Sequence, residues 1–247
     1  MAQYATKQDS IPMPRLADVN AKPHVTIGLM AINLIVFLAM IFSGASPLDP
    51  SVEDLRRFGG SWAYALFAQH WRLLTANYVH AGIIHIAANM WGLWVLGDLA
   101  ERIFDRWVYF LTYTCCGLAG MLAAAWWNPR TITVGASGAI FGMAGALISA
   151  LYLGNLPISK TAIQSILKNL LFVVGFNLIY GMARASNISN AAHIGGVVTG
   201  LALGAVLAPT LNAPAVKRQL WALLAFAATG FVLWGNYAFL RFIFMQA

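Results

Sequence analysis

From residue 25 onward the chain is a succession of long apolar runs separated by short polar connections. Seven runs have the length of a membrane-spanning helix, at roughly 25–43, 82–101, 107–127, 134–153, 165–182, 190–208 and 219–244. A hydrocarbon core about 30 Å thick takes about 20 apolar residues in a helix. None of the runs alternates with a period of two, which argues against a barrel. The pattern predicts an all-α, polytopic membrane protein with seven transmembrane helices. About two dozen polar residues precede the first run and no small-residue cleavage site follows it, so a retained helix is expected rather than a signal peptide. The expected organisation is a polar leader over 1–24, a six-helix core over 25–208 with a long loop at 44–81, and a linker with one further helix over 209–247.

Composition agrees with the pattern. The 247 residues are 60% hydrophobic and 9% charged, more apolar surface than a soluble domain of this size can hide. The net charge of +7 raises the question of nucleic acid, but the basic residues are scattered over the connections and form no patch. Their distribution orients the chain instead. With the N-terminus in the cytoplasm, Lys7, Arg15, Lys22, Arg102, Arg106, Lys160, Lys168, Lys217 and Arg218 lie inside. Arg56, Arg57, Arg72, Arg130, Arg184 and Arg241 then lie outside, which favours this orientation by nine to six. Cys115 and Cys116 are adjacent and mid-helix, so they are expected to pack as small hydrophobes.

In this topology the second, fourth and sixth runs descend from the same side. His80, His85 and Asn89 lie at or near the start of the second, Ser137 near the start of the fourth and His193 near the start of the sixth. At 1.5 Å rise per residue, each falls roughly 5–10 Å below the outer edge. A hydroxyl becomes a nucleophile when a base is within hydrogen-bond reach, and imidazole suits that task. The fourth run carries Gly138, Gly142 and Ala146, and the sixth carries Gly196, Gly200 and Gly204, ridges that let helices touch backbone to backbone. Lone serines more often bond back to their own helix. It is the pairing at matched depth that reads as nucleophile and base.

His85 and Asn89 are four apart and share a helical face, and both donate hydrogen bonds. With the Ser137 amide at a helix N-terminus they could form an oxyanion hole, or they could merely tie helices together. Spacing alone leaves both open. His80, about 140° around a helix from His85, is expected to have a structural or loop-anchoring role. The eight acids (Asp9, Asp18, Asp49, Glu53, Asp54, Asp98, Glu101, Asp105) fall in tails, loops or the cytoplasmic helix ends, so a Ser-His dyad is expected rather than a triad. Residues 135–139 are not G-x-S-x-G, and no H-E-x-x-H occurs, so neither a hydrolase elbow nor zinc is supported. Loop 44–81 carries Trp62, Tyr64, Phe67, Trp71 and Tyr78, rings suited to the headgroup zone.

Together these residues resemble the rhomboid family of intramembrane serine proteases. The motifs are Trp71-Arg72, His80-x4-His85-x3-Asn89, Gly135-x-Ser137-Gly138, and Ala192-His193 followed by Gly196 and Gly200. The resemblance implies that Ser137 is the nucleophile and His193 its base. It implies that His85, Asn89 and the backbone at Ser137 and Gly138 stabilise the oxyanion. His80, Trp71, Arg72, Gly135, Phe141, Gly196 and Gly200 would support the site, Trp71-Arg72 by fixing a loop embedded at the membrane edge. Phe141 stands where tyrosine is common in the family. A gate near 165–182 and a capping stretch from Gly181 to Asn190 are implied, as is a six-plus-one helix arrangement. The expected partners are transmembrane protein substrates and the lipid bilayer, with no nucleic acid, metal or organic cofactor, and the expected location is a bacterial inner membrane. Two rivals stand beside this reading. One is a silent relative that binds transmembrane helices, disfavoured by the intact Ser137 and His193. The other is a channel or transporter lined by His80, His85, Asn89 and His193, disfavoured because the inner halves of the helices offer no polar continuation.

Overall fold

A computed structural model describes residues 22–182 and 189–246. Nearly all of the leader over 1–24 and most of the stretch from Gly181 to Asn190 therefore lie outside the described residues. The helices are α1 (His24–Phe42), α2 (Val52–Arg57), α3 (Ala63–Ala68), α4 (Arg72–Thr75), α5 (Ile83–Ile103), α6 (Arg106–Trp127), α7 (Ser137–Leu153), α8 (Lys160–Gly181), α9 (Asn190–Leu207) and α10 (Ala215–Gln246). A 3₁₀ turn, Ala208–Thr210, follows α9. Among the described residues there is no strand, and Ser61 and Thr133 form an isolated bridge. The protein is an integral, multi-pass, all-helical membrane protein. Six of the helices are long and apolar enough to cross a bilayer, while α7 is a shorter apolar helix of 17 residues.

The shortness of α7 departs from the span expected over 134–153. Gly135 adopts φ +112°, a left-handed conformation that a helix cannot contain, and its N–H donates to the Ala76 carbonyl at 2.9 Å. A hydropathy window does not register that turn. Nor does α7 need full membrane length, because it is the innermost helix: from Gly138 to Leu151 only Ile148 is not buried.

Its closest neighbour is α9, and glycine makes the approach possible. A Cβ on Gly196 would collide with the Gly138 carbonyl, one on Gly200 with that of Gly142, and one on Gly204 with that of Ala146. From the other side, a Cβ on Gly145 would lie 2.5 Å from the Val197 carbonyl. The Ser149 hydroxyl donates across the same seam to the Leu201 carbonyl at 2.8 Å. With no side chains in the way, the two backbones meet directly. Helix α8 is the opposite case, with Leu170 and Val174 its buried residues.

Loop 44–81 is not an irregular ectodomain loop but a folded segment containing α2, α3 and α4. Ser51 and Asp54 form a capping box at the start of α2, at 3.1 and 3.0 Å. At the other end of the bundle, Glu101 of α5 accepts from both the Thr26 amide (2.7 Å) and its hydroxyl (2.8 Å), tying α1 to α5.

Candidate active site

Ser137 is the first residue of α7, immediately after the Gly135 turn. The first helical hydrogen bond of α7 runs from the Ile140 amide to Ala136, so the amides of Ser137 and Gly138 precede it and belong to the unpaired first turn. His193 lies in the first turn of α9, whose start is capped by Ser189 through the Ala192 amide at 3.4 Å. The glycine seam fixes the register between the two helices, and Gly138 sits against the Ala192 carbonyl at 3.3 Å from a built Cβ. That register brings His193 Nε2 to 2.9 Å from Ser137 Oγ. Residues 56 apart in sequence meet through a contact of two backbones.

The imidazole is held by an unusual partner. Phe141, one turn after Ser137, stacks on His193 with ring centroids 4.1 Å apart and planes inclined by 3°. His193 is buried, and its Nδ1 has no hydrogen-bond partner among the described residues. The acids sit elsewhere: Glu101 is bonded to Thr26, Asp98 to Arg102 and Asp105 to Arg218. Among the described residues no three His, Cys, Asp or Glu side chains are grouped so as to hold a metal ion.

His85 and Asn89 of α5 flank the Gly135 turn. A Cβ at Gly135 would lie 2.7 Å from His85 Cε1 and Nε2 and 3.8 Å from Asn89 Nδ2, so glycine is required there for space as well as for φ. His85 Nδ1 accepts the Ala81 amide at 3.3 Å, which assigns the ring hydrogen to Nε2, the nitrogen that faces the turn. Asn89 is buried and donates to the His85 carbonyl at 2.9 Å, and its amide nitrogen carries a second hydrogen.

His80 departs from its expected place. A separation of 140° from His85 requires one helix through both, but α5 begins at Ile83, after Gly82 with φ +107°. The two rings instead meet edge to face, 5.1 Å apart. His80 is fully buried with Nδ1 3.3 Å from the Tyr78 carbonyl. Burial holds its pKa down at about 3, so it is a neutral ring backing His85.

Arg72 organises the loop. Its Nη1 donates to the Arg56 and Gly60 carbonyls at 2.8 and 2.9 Å, and its Nε donates to Gln69 at 2.6 Å. The guanidinium also packs over the rings of Trp71 and Trp62, at 4.6 and 5.2 Å from their centroids. Gly60 leads into Ser61, whose backbone exchanges bonds with Thr133 at 3.1 and 2.7 Å. Ala81, Gly60, Gln69, Ala76 and Thr133 do not stand out in the sequence. All but Gln69 take part through backbone atoms, which no residue type announces.

A family model for the rhomboid domain matches residues 68–210. The chain belongs to the rhomboid family. It is 36% identical over 219 residues to Rhomboid protease GluP of Bacillus subtilis (strain 168), covering 87% of this chain and 41% of that protein. It is 37% identical over 162 residues to RHOMBOID-like protein 6, mitochondrial, of Arabidopsis thaliana, covering 65% of this chain and 52% of that protein. With Rhomboid protease AarA of Providencia stuartii the identity is 30% over 211 residues, covering 75% of this chain and 73% of that protein. This rhomboid thus spans about half the length of the first two. The matched domain contains Trp71, Arg72, His80, His85, Asn89, Ser137 and His193, and leaves α1, α2 and α10 outside it.

Proposed function

We propose that this rhomboid is an intramembrane serine endopeptidase acting through a Ser137-His193 dyad. The observation that carries the reading is the 2.9 Å approach of His193 Nε2 to Ser137 Oγ. In acylation, Nε2 takes the hydroxyl proton as Oγ attacks the scissile carbonyl, and the imidazolium then protonates the departing amine. In deacylation the same nitrogen takes a proton from water as its oxygen bonds to the acyl carbon, and the imidazolium returns that proton to Oγ as the C–Oγ bond breaks and the carboxylic acid leaves. The tetrahedral oxyanion is stabilised by His85 Nε2–H, the second Asn89 hydrogen, and the amides of Ser137 and Gly138. With a stacked Phe141 in place of a carboxylate, the imidazole is oriented by ring packing. Trp71 and Arg72 support the site by holding the folded loop, and the core over 25–208 is the catalytic unit with α10 added to it.

The substrate class follows from peptide geometry. A spanning helix buries its peptide bonds in intrahelical hydrogen bonds, so attack requires a segment that unwinds. Transmembrane or membrane-proximal segments with helix-weakening residues, cut near the outer face, meet that need and leave water within reach. The charge bias supports a cytoplasmic N-terminus and an outer C-terminus. A bacterial inner membrane is the location we favour, although one relative carries a mitochondrial name.

The test uses the purified full chain in detergent with a transmembrane substrate. Cleavage that disappears in Ser137→Ala, with a fluorophosphonate labelling Ser137 in wild type but not in His193→Ala, is the expected result. Undiminished cleavage by Ser137→Ala would sink the nucleophile assignment. Helix binding without turnover, or ion flux without proteolysis, would favour one of the two rivals.

A further inference from the structure

Helix α10 lies outside the matched rhomboid domain, yet it is fixed at both ends. At its start, Arg218 pairs with Asp105 at 2.6 Å, and Trp221 Nε1 donates to the Val206 carbonyl at 2.8 Å. At its end, Tyr237 and Phe244 hold a single ring of the folded loop. Phe67 of α3 lies 5.9 Å from the Tyr237 ring and 5.7 Å from the Phe244 ring, the latter stacked at 23°. Tyr64, one turn earlier, meets Phe244 edge-on at 5.6 Å. Leu240 is fully buried in a small apolar core that α3, α10 and Leu122 and Ala125 of α6 share, separate from the main one.

This second core joins the site through backbone bonds. The Ala63 amide, at the start of α3, donates to the Pro129 carbonyl at 3.1 Å, and Ser61 pairs with Thr133. Residues 129–133 lead directly into the Gly135 turn and Ser137. Gln69, just after α3, accepts from Arg72. Contact thus passes from α10 through α3 to the segment that precedes Ser137, beside a direct packing of α10 on α6, where Phe239 lies 5.8 Å from Trp126.

We propose that α10 positions the nucleophile, with Tyr237 and Phe244 as positioning residues that hold Phe67 and, through Ala63 and Ser61, set the approach of residues 129–136 to α9. This rests on the assignment of Ser137 as nucleophile. Small displacements at such a site are costly, up to about 100-fold for 1 Å.

The test is made on the full chain, with Phe244→Ala and Phe67→Ala as variants. Each is expected to lower kcat about tenfold with KM within about twofold, the signature of a displaced nucleophile rather than of weakened binding. The second-order rate of Ser137 labelling by a small fluorophosphonate is expected to fall by the same factor, while thermal unfolding stays above the assay temperature. Phe244→Tyr, which keeps the ring, is expected to restore both rates. Phe242→Ala, on the exposed face two residues away, is expected to change neither. Labelling and kcat within about twofold of wild type in Phe244→Ala and Phe67→Ala would overturn the positioning role, as would a change confined to KM. Where Phe244→Ala unfolds below the assay temperature, Phe244→Leu keeps apolar bulk but removes the ring stacked on Phe67, and an unchanged labelling rate there also overturns it. Absence of labelling in wild type is a different failure, of the nucleophile assignment itself, and removes this role with it.

Discussion

Helices α8 and α9 are both apolar and long enough to cross a bilayer, yet they have opposite relations to the protein. Only 6% of the apolar stretch of α8 is buried, against 44% of the stretch that begins at Asn190. Hydropathy cannot separate them, because lipid and protein interior are equally apolar. Small residues do. On α9, Gly196, Gly200 and Gly204 stand at four-residue intervals and each meets a carbonyl of α7, whereas Gly175 of α8 has nothing within 4 Å of a built Cβ. Apolar length says that a helix is in the membrane, and a glycine ridge says what it touches there.

Substitutions on and around the two helices test that contrast. His193→Ala removes the proposed base at the start of α9, and it carries the greatest consequence: cleavage is expected to fall by about four orders of magnitude with thermal unfolding in detergent almost unmoved. A fall of less than about tenfold would remove His193 from the chemistry.

Gly200→Ala comes next and reverses the signature. Its Cβ would run into the Gly142 carbonyl, backbone that cannot step aside, so the helices must separate. The expected cost is about 3 kcal/mol, read from denaturation, with activity falling because the proposed dyad opens. Unchanged stability would mean that the seam is looser than described.

Arg72→Ala removes the donor that satisfies the Arg56 and Gly60 carbonyls, and is expected to destabilise by about 2 kcal/mol. Arg72→Lys, which cannot bridge both carbonyls and Gln69 with one planar fork, is expected to restore little of it. Full rescue by lysine would reduce Arg72 to a bare charge.

A smaller effect is expected from His80 and is read as a pH dependence. Its folded pKa of about 3 lies below the ordinary 6.5, so between those values the unfolded chain takes up a proton that the folded chain refuses. Stability is therefore full above about pH 6.5 and is lost progressively as pH falls toward 3. Thermal unfolding measured across that window is expected to fall less steeply in His80→Gln than in wild type. Parallel curves would remove His80 as the cause. Least of all, Gly175→Ala on α8 is expected to leave activity unchanged and shift stability by less than about 1 kcal/mol, upward if at all. Loss of activity there would show that α8 is packed more closely than its exposure indicates.

Much of the site is legible in the residues themselves. Ser137 and His193 stand out because both are polar, both begin apolar runs, and both are followed by small residues at four-residue spacing. Phe141 is legible only through the family resemblance, as a ring that stacks on the proposed base, His193. The span beginning at 134 is three residues too long at its start because the Gly135 turn is a matter of φ rather than polarity. The relation of His80 to His85 depends on where α5 begins, which spacing does not reveal. Length and aromatic content mark the loop over 44–81 as exceptional, but they do not disclose its three short helices. Those are held by hydrogen bonds to the backbone at Arg56, Gly60 and Thr133, and a carbonyl has no letter in the sequence.

The class of protein, the number of apolar helices and the ability of some of them to approach closely are all written in the amino-acid order, since length, apolarity and missing side chains are local properties. Packing settled the 2.9 Å meeting of His193 with Ser137, the edge contact of His80 with His85, and the hold of α10 on α3. Those depend on register between segments far apart along the chain, which is set by the fit of surfaces that exist only once the helices are assembled.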